Sequence, residues 1–228
     1  MKRDVIIACD FKNKEELFSF LNLFKAMPFL KIGMELFYKE GPELVKELKQ
    51  MGCKIFLDLK LHDIPNTVEK AMRNIALLGV DITNVHAAGG IEMMRAARKG
   101  LDSVPLGKNT KLIAVTQLTS ISQEILENEL MVSYPLEDIV KKYALNAKTA
   151  GLDGVVCSPL EAPIIKGLGM ISVTPGIRFA ENEKNDQKRV ATPVYAKELG
   201  STYIVVGRSI TTAENPVAAY ERCVKEFC

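Results

Sequence analysis

The stretch KIFLDLKLHD, residues 54–63, gives the first evidence for the fold because a short apolar run ends in alternating charged residues. Lys54–Leu59 has the length and composition of a buried strand, and Asp58, Lys60 and Asp63 stand at its carboxyl end. Similar apolar runs alternate with longer segments of helical period along the whole chain. This alternation is typical of an α/β protein built around a parallel sheet.

Eight strand candidates and eight helix candidates follow one another. The strands are predicted at Val5–Cys9, Phe29–Ile32, Lys54–Leu59, Ile82–Val85, Lys111–Thr116, Gly154–Cys157, Ile171–Thr174 and Tyr203–Val206. The helices are predicted at Lys14–Ala26, Pro42–Met51, Thr67–Leu78, Ile91–Arg98, Leu136–Ala150, Ala162–Gly167, Pro193–Leu199 and Pro216–Glu226. Eight such units close a (β/α)8 TIM barrel, so we predict this fold, with residues 1–228 as one domain. A doubly wound open sheet is the alternative, but it usually has fewer strands and a glycine-rich first turn, which this sequence lacks.

Composition argues against several classes of partner. Thirty basic residues face 28 acidic ones, so we expect neither a nucleic-acid-binding nor a membrane-binding surface. The five cysteines are scattered without C-x-x-C spacing, which indicates neither a disulfide framework nor a zinc site. The first residues run straight into a strand candidate rather than a signal-peptide core, and no apolar run is long enough to span a bilayer. We therefore expect a cytoplasmic protein.

Charged residues on two predicted strands identify a candidate active site. Asp58 and Lys60 are expected on the same side of their strand, and Lys31 lies inside the apolar run of the second strand. Buried charges are costly unless they are paired, so a carboxylate between two ammonium groups is the expected arrangement. A structural salt-bridge cluster is the alternative. Because Asp63 follows three residues after Lys60, we favour an active site with two lysines and two carboxylates.

Glycine and arginine follow the last two strands. Gly207-Arg208 ends the eighth strand, and Pro175-Gly176 with Arg178 follows the seventh. Backbone N–H groups and guanidinium groups bind phosphate, and phosphate sites recur at this place in TIM barrels. The polar segment Phe179–Arg189 is predicted to be a mobile loop over the active face.

Metal chemistry and nucleophilic catalysis are less favoured. His62 and His86 are the only histidines, too few for a histidine-carboxylate metal set, so we expect no metal. A lone histidine such as His86 is more often a core or supporting residue. Cys157 and Ser158 are possible nucleophiles, but no histidine is placed by the sequence to activate either one.

Several segments carry a family resemblance. They are FLDLKLHDIPNT (residues 56–67), IACD (7–10), KIGMELF (31–37), VTQLTS (115–120), VTPGIR (173–178), DQKRVATP (186–193) and IVVGRSIT (204–211). Together they resemble, in the same order, conserved segments of the orotidine 5′-phosphate decarboxylase family and cover nearly the whole chain. The resemblance implies a TIM-barrel enzyme that converts orotidine 5′-monophosphate to UMP without a cofactor, acting as a homodimer with shared active sites.

The resemblance also implies a role for each matching residue. Lys31, Asp58, Lys60 and Asp63 match the catalytic tetrad, with Lys60 as proton donor to the pyrimidine carbon that loses CO₂. The other matches are Asp10 for a ribose hydroxyl, Thr119 for the pyrimidine, Arg178 and Gln187 in or beside the closing loop, Gly207 and Arg208 for the phosphate, and Thr67, which with Asp63 is expected to reach the partner subunit's site.

Two alternatives remain open. A barrel decarboxylase of the same superfamily that acts on a sugar phosphate through a Mg²⁺-bound enediolate shares the D-x-K-x-x-D spacing. The Ile64-Pro65-Asn66-Thr67 continuation and the Thr119 segment favour the nucleotide. A regulatory barrel that binds a phosphate ligand without catalysis would be expected to have a broken tetrad, but all four charged residues are present.

Overall fold

Eight parallel strands form a closed barrel in the computed structural model, which describes residues 2–180 and 191–228. Each strand is hydrogen-bonded to the next in the sequence, and β8 closes the barrel against β1. The strands are β1 Asp4–Ala8, β2 Phe29–Gly33, β3 Lys54–Leu61, β4 Ile82–His86, β5 Lys111–Val115, β6 Gly154–Val156, β7 Ile171–Thr174 and β8 Tyr203–Val206. The predicted TIM barrel is confirmed.

Helices follow the strands and cover the outside of the barrel. They are α1 Lys14–Leu21, α2 Met34–Gln50, α3 Pro65–Ala76, α4 Gly90–Asp102, α5 Gln123–Asn128, α6 Leu136–Thr149, α7 Ala162–Gly167, α8 Pro193–Glu198, α9 Arg208–Thr211 and α10 Pro216–Phe227. None of the helices in the described part of the chain is long and apolar enough to cross a membrane.

Alternating strand residues build two apolar layers. Ile6, Phe56, Ile113 and Val205 belong to a cluster in the barrel interior. Their neighbours along the strands, such as Ile7, pack outward against the helices in a larger cluster. Because both faces of every strand are buried, the strands are nearly continuous apolar runs, as parallel sheets require. A charged residue on such a strand is therefore costly unless the fold pairs it.

The structure differs from the predicted helices at one helix start and at two additional short helices. The helix expected to begin at Pro42 is the second part of α2, which begins at Met34 and is interrupted at Gly41, where φ is 72°. Only glycine adopts this backbone conformation readily, so Gly41 breaks the helix and Pro42 restarts it. The short helices α5 and α9, of six and four residues, were not among the predicted helices.

Candidate active site

A cavity of about 400 Å³ opens at the carboxyl ends of the strands. This is the end of a TIM barrel where active sites lie. Phe56, Val156 and Val205 contribute apolar lining and belong to, or pack against, the interior cluster. The predicted site residues that line the cavity are Asp10, Lys31, Asp58, Lys60, Thr119, Arg178, Gly207 and Arg208.

Asp58 lies at the centre of a buried ion cluster. Its Oδ1 atom is 2.8 Å from Nζ of Lys60, and its Oδ2 atom is 3.7 Å from Nζ of Lys31. Lys31 also donates a hydrogen bond to Oδ1 of Asp10 at 3.0 Å. The predicted carboxylate between two ammonium groups is thus present, and Asp10 extends it to an alternating chain of four charges. Both ammonium groups line the cavity while the local net charge stays near zero.

The cluster shifts the protonation equilibria of its two most buried members. Burial alone would raise the pKa of Asp58, but Lys31 and Lys60, together with hydrogen bonds from Lys60 and Asn84, hold it below the ordinary value. Burial alone would lower the pKa of Lys31, but the carboxylates of Asp10 and Asp58 raise it instead. Lys31 and Asp58 are therefore both charged at neutral pH, and each depends on the other.

The backbone at Lys60 departs from a regular strand. Its φ is 52°, a left-handed conformation that costs a residue other than glycine on the order of 1–3 kcal/mol. Leu57 is paired with Thr83 and Leu61 with Val85, so β3 places three residues opposite the single residue Asn84. This β-bulge presents Lys60 to the cavity. The prediction that Asp58 and Lys60 share one side is confirmed, but a bulge and not simple alternation brings them together.

Sequence reasoning missed two residues that shape the cluster. Asn84 on β4 is fully buried, donates to Oδ1 of Asp58 at 2.7 Å and accepts the backbone N–H of Lys60 at 2.8 Å. An asparagine within the apolar run ITNV was the available signal. Gly33 ends β2 beside the cluster, where an added Cβ atom would lie 3.1 Å from Nζ of Lys31. A larger residue there would crowd the ammonium group.

The opposite side of the cavity is formed by the segments after β7 and β8. Gly207 and Arg208 begin α9 directly after β8. After β7, Gly176 has a φ of 80°, and an isolated bridge pairs Ile177 with Ala191. This bridge fixes the chain on both sides of residues 181–190. Gln187 and most of the predicted loop Phe179–Arg189 lie outside the described residues.

Asp63 and Thr67 do not join the cavity. Both are exposed, and neither belongs to the cavity lining. The carboxylate of Asp63 accepts a hydrogen bond from the backbone N–H of Ile64, and it forms no ion pair with any residue that the structure describes. A single chain therefore brings together three of the four predicted charged residues, and Asp63 is not part of the cluster.

Residues 3–223 match the family model described as "Orotidine 5′-phosphate decarboxylase / HUMPS family". Two relatives named orotidine 5′-phosphate decarboxylase, from Geobacillus sp. (strain WCH70) and Bacillus cereus (strain Q1), are 54% and 55% identical, over 100% of this chain and 98% of each relative. The crystal structure of orotidine 5′-phosphate decarboxylase from Lactobacillus acidophilus has a TM-score of 0.89 and 47% identity, over 99% of both chains. The chain belongs to this family. The predicted family and enzyme class, a carboxy-lyase, are confirmed.

The other residues considered from the sequence, His86 and Ser158, contact neighbouring parts of the fold. His86 is half-buried, 5.5 Å from the ring of His62, and burial, His62 and Lys60 lower its pKa. Ser158 is fully buried and caps a turn by accepting the backbone N–H of Leu160. Within the described residues, no three His, Cys, Asp or Glu side chains are grouped as a metal site would require.

Proposed function

We propose that the chain decarboxylates orotidine 5′-monophosphate to UMP without a cofactor, with Lys60 as the proton donor. The substrate is supported by the names of the full-length relatives. The mechanism is supported by one observation above all: the Lys60 ammonium lines the cavity while it is held 2.8 Å from the buried carboxylate of Asp58.

The reaction requires stabilisation of a carbanion. When the bond between C6 of the pyrimidine and the carboxylate breaks, the electron pair stays on C6 in an orbital that does not overlap the ring π system. An enzyme without an electron-accepting cofactor must stabilise this charge electrostatically. The Lys60 ammonium supplies a positive charge beside C6 and then transfers its proton there. CO₂ leaves, and Lys60 regains a proton from solvent.

Asp58 and Lys31 prepare the site before substrate binds. Asp58 orients the Lys60 ammonium, and Lys31 balances the charge of Asp58 so that the carboxylate remains ionised. Because these groups are already fixed in a largely buried cluster, little reorganisation accompanies the formation of charge in the transition state. Repulsion between an enzyme carboxylate and the substrate carboxylate also favours the departure of CO₂.

The other predicted contacts fit the two ends of a nucleotide. Gly207, Arg208 and Arg178 lie on the side of β7 and β8 and are proposed to bind the phosphate, with Gln187 of the adjoining segment. Asp10, bonded to Lys31, is proposed to bind a ribose hydroxyl, and Thr119 the pyrimidine. Phosphate binding far from the reacting carbon supplies energy for positioning the substrate, and so raises the rate as well as the affinity.

The full site is proposed to require a second copy of the chain. The family resemblance implies that Asp63 and Thr67 reach the partner subunit's site, and in this chain both are exposed and lie outside the cavity lining. In a homodimer, Asp63 and Thr67 would complete the charge cluster of the partner subunit, and the symmetry would form two equal sites.

The sugar-phosphate alternative remains a second candidate, because the description of the matched family model covers more than the decarboxylase. That reaction depends on Mg²⁺ bound to the substrate. In this structure the carboxylates of Asp10 and Asp58 are already paired with Lys31 and Lys60, which favours the metal-independent reaction.

Mixing the protein with orotidine 5′-monophosphate should produce UMP and CO₂. The reaction is monitored by ultraviolet absorbance and by CO₂ release. Lys60→Ala should reduce kcat by at least about 10⁴-fold, because both the stabilising charge and the proton donor are lost. EDTA should leave the rate of the unaltered protein unchanged. No turnover by folded protein would reject the proposed function, and loss of activity in EDTA that Mg²⁺ restores would favour the alternative.

Arg208→Ala should lower kcat/KM for orotidine 5′-monophosphate by about 10- to 100-fold, as expected for the loss of a charge-assisted hydrogen bond. Turnover of the phosphate-free nucleoside orotidine should be unchanged, because that substrate lacks the group that Arg208 binds. Arg95→Ala, which removes an exposed guanidinium on α4, is the control and should affect neither substrate. Equal losses on both substrates for Arg208→Ala would place the phosphate elsewhere.

Mixing inactive Lys60→Ala and Asp63→Ala proteins should restore activity if the sites are shared. Random exchange of subunits makes half of the dimers mixed, each with one intact site, so about a quarter of the unaltered activity should return. Lys60→Ala mixed with Asp58→Ala is the control, because these residues share one chain and no intact site can form. Equal results for both mixtures would contradict the shared site.

A further inference from the structure

Asn84 makes two hydrogen bonds to β3 with one side chain. Its amide nitrogen donates to Oδ1 of Asp58 at 2.7 Å, and its amide oxygen accepts the backbone N–H of Lys60 at 2.8 Å. Asn84 is completely buried, and it is not among the residues that line the cavity. It therefore contacts both members of the central ion pair without being placed to touch a ligand.

The side chain of Asn84 replaces part of the sheet ladder. Thr83 pairs with Leu57, and Val85 pairs with Leu61. Asn84 is therefore the single β4 residue opposite Asp58, Leu59 and Lys60. A regular parallel ladder would pair the Lys60 N–H with a backbone carbonyl. Here the amide oxygen of Asn84 accepts it, at a residue whose backbone is left-handed, unlike that of any other residue in the described strands. Asn84 thus satisfies the donor that the bulge would otherwise leave unpaired.

The same side chain also fixes the carboxylate. Oδ1 of Asp58 accepts from both Nζ of Lys60, at 2.8 Å, and the Asn84 amide, at 2.7 Å. With two donors on this oxygen, the carboxylate plane is constrained and Oδ2 remains directed toward Lys31, 3.7 Å away. One amide therefore constrains the backbone from which Lys60 extends and the carboxylate to which its ammonium is bonded.

We propose that Asn84 is a positioning residue that holds the Lys60 ammonium in line with the reacting carbon by clamping the β3 bulge to Asp58. The proposal rests on the proposed role of Lys60 as proton donor. Transition-state stabilisation by a fixed charge falls steeply with displacement, and a shift of about 1 Å can cost about 100-fold in rate. Loss of the clamp should therefore reduce kcat far more than it changes substrate affinity, which depends largely on the phosphate.

Thr83 provides a matched control on the same strand. Like Asn84 it is fully buried and bonded to β3, since its hydroxyl donates to the backbone oxygen of Leu57 at 3.1 Å. Thr83→Val removes a buried hydrogen bond between the same two strands without touching Lys60 or Asp58. If Asn84 were only a structural contact, Asn84→Leu and Thr83→Val should have similar consequences.

Asn84→Asp gives a sharper readout because its effect depends on pH. The introduced carboxyl group would lie beside Asp58, and two adjacent carboxylates raise the pKa of one of them. When protonated, the new group resembles the amide: its O–H donates to Asp58 and its carbonyl oxygen accepts the N–H of Lys60. When ionised, it repels Asp58 and loses the donor. The titratable groups that act on Asp58, or on His86 two residues further along β4, are Lys31 on β2, Lys60 on β3 and His62 directly after β3; the partner of Asn84 on β5 is the apolar Ile113.

The experiment measures kcat and KM for orotidine 5′-monophosphate across pH for the unaltered protein, Thr83→Val, Asn84→Leu and Asn84→Asp, with circular dichroism to confirm folding. Asn84→Leu should lower kcat by about 100-fold with KM changed by less than about threefold. Asn84→Asp should be most active at low pH and lose kcat as pH rises. Thr83→Val should follow the unaltered protein at every pH.

Each outcome decides the proposal. Retention of kcat by Asn84→Leu, or a pH profile of Asn84→Asp with the shape of the unaltered protein, would overturn it. If Asn84→Leu does not fold, the profile of Asn84→Asp against Thr83→Val decides alone. If the unaltered protein and Thr83→Val do not turn over the substrate, the proposed function fails, and the positioning role falls with it.

Discussion

Asp58 carries a negative charge inside the barrel with only 7% of its surface exposed. Such a charge is stable only because Lys60 and Lys31 stand on its two sides and Asn84 donates a hydrogen bond to it. The dependence is mutual, since Lys31 is itself largely buried and the carboxylates of Asp10 and Asp58 raise its pKa. Removing Lys31 or Lys60 would leave the Asp58 carboxylate with one ammonium partner in place of two, and removing Asp58 would leave both ammonium groups without their shared carboxylate.

The register of neighbouring barrel strands brings these residues together. Gly33 and Asp58 are register partners on β2 and β3, which places Lys31 beside the carboxylate. Lys60 follows after one residue on the same strand, and Asn84 lies on the next strand. A closed parallel sheet presents all strand ends at one rim, so charges from β1, β2 and β3 converge there with the arginines after β7 and β8. The same geometry separates Lys60, the proposed proton donor, from the proposed phosphate-binding side.

The sequence was sufficient to predict the barrel and the ion cluster, because a buried charge is conspicuous in an apolar strand. Asn84 was missed because a neutral amide within an apolar run carries no charge that demands a partner. The bulge at Lys60 was missed because a strand with extra residues can keep the same apparent alternation. The roles of Asp63 and Thr67 stay predictions, since one chain contains only their exposed positions and not the surface that they would contact.

The two lysines and Asn84 keep Asp58 ionised within the barrel. The most direct test is the ¹³C NMR titration of the Asp58 carboxyl carbon in the folded protein, assigned with Asp58→Asn. The Asp58 carboxylate should remain ionised as the pH falls to 3.8, the ordinary pKa of an aspartate side chain, and should be protonated only at lower pH. Since this charge is favoured by folding, its stabilising contribution is present above the ordinary value and is lost as pH falls through the lower, folded-state pKa. A protonation midpoint of Asp58 at or above pH 3.8 in the folded protein would show that the lysines and Asn84 do not hold it ionised.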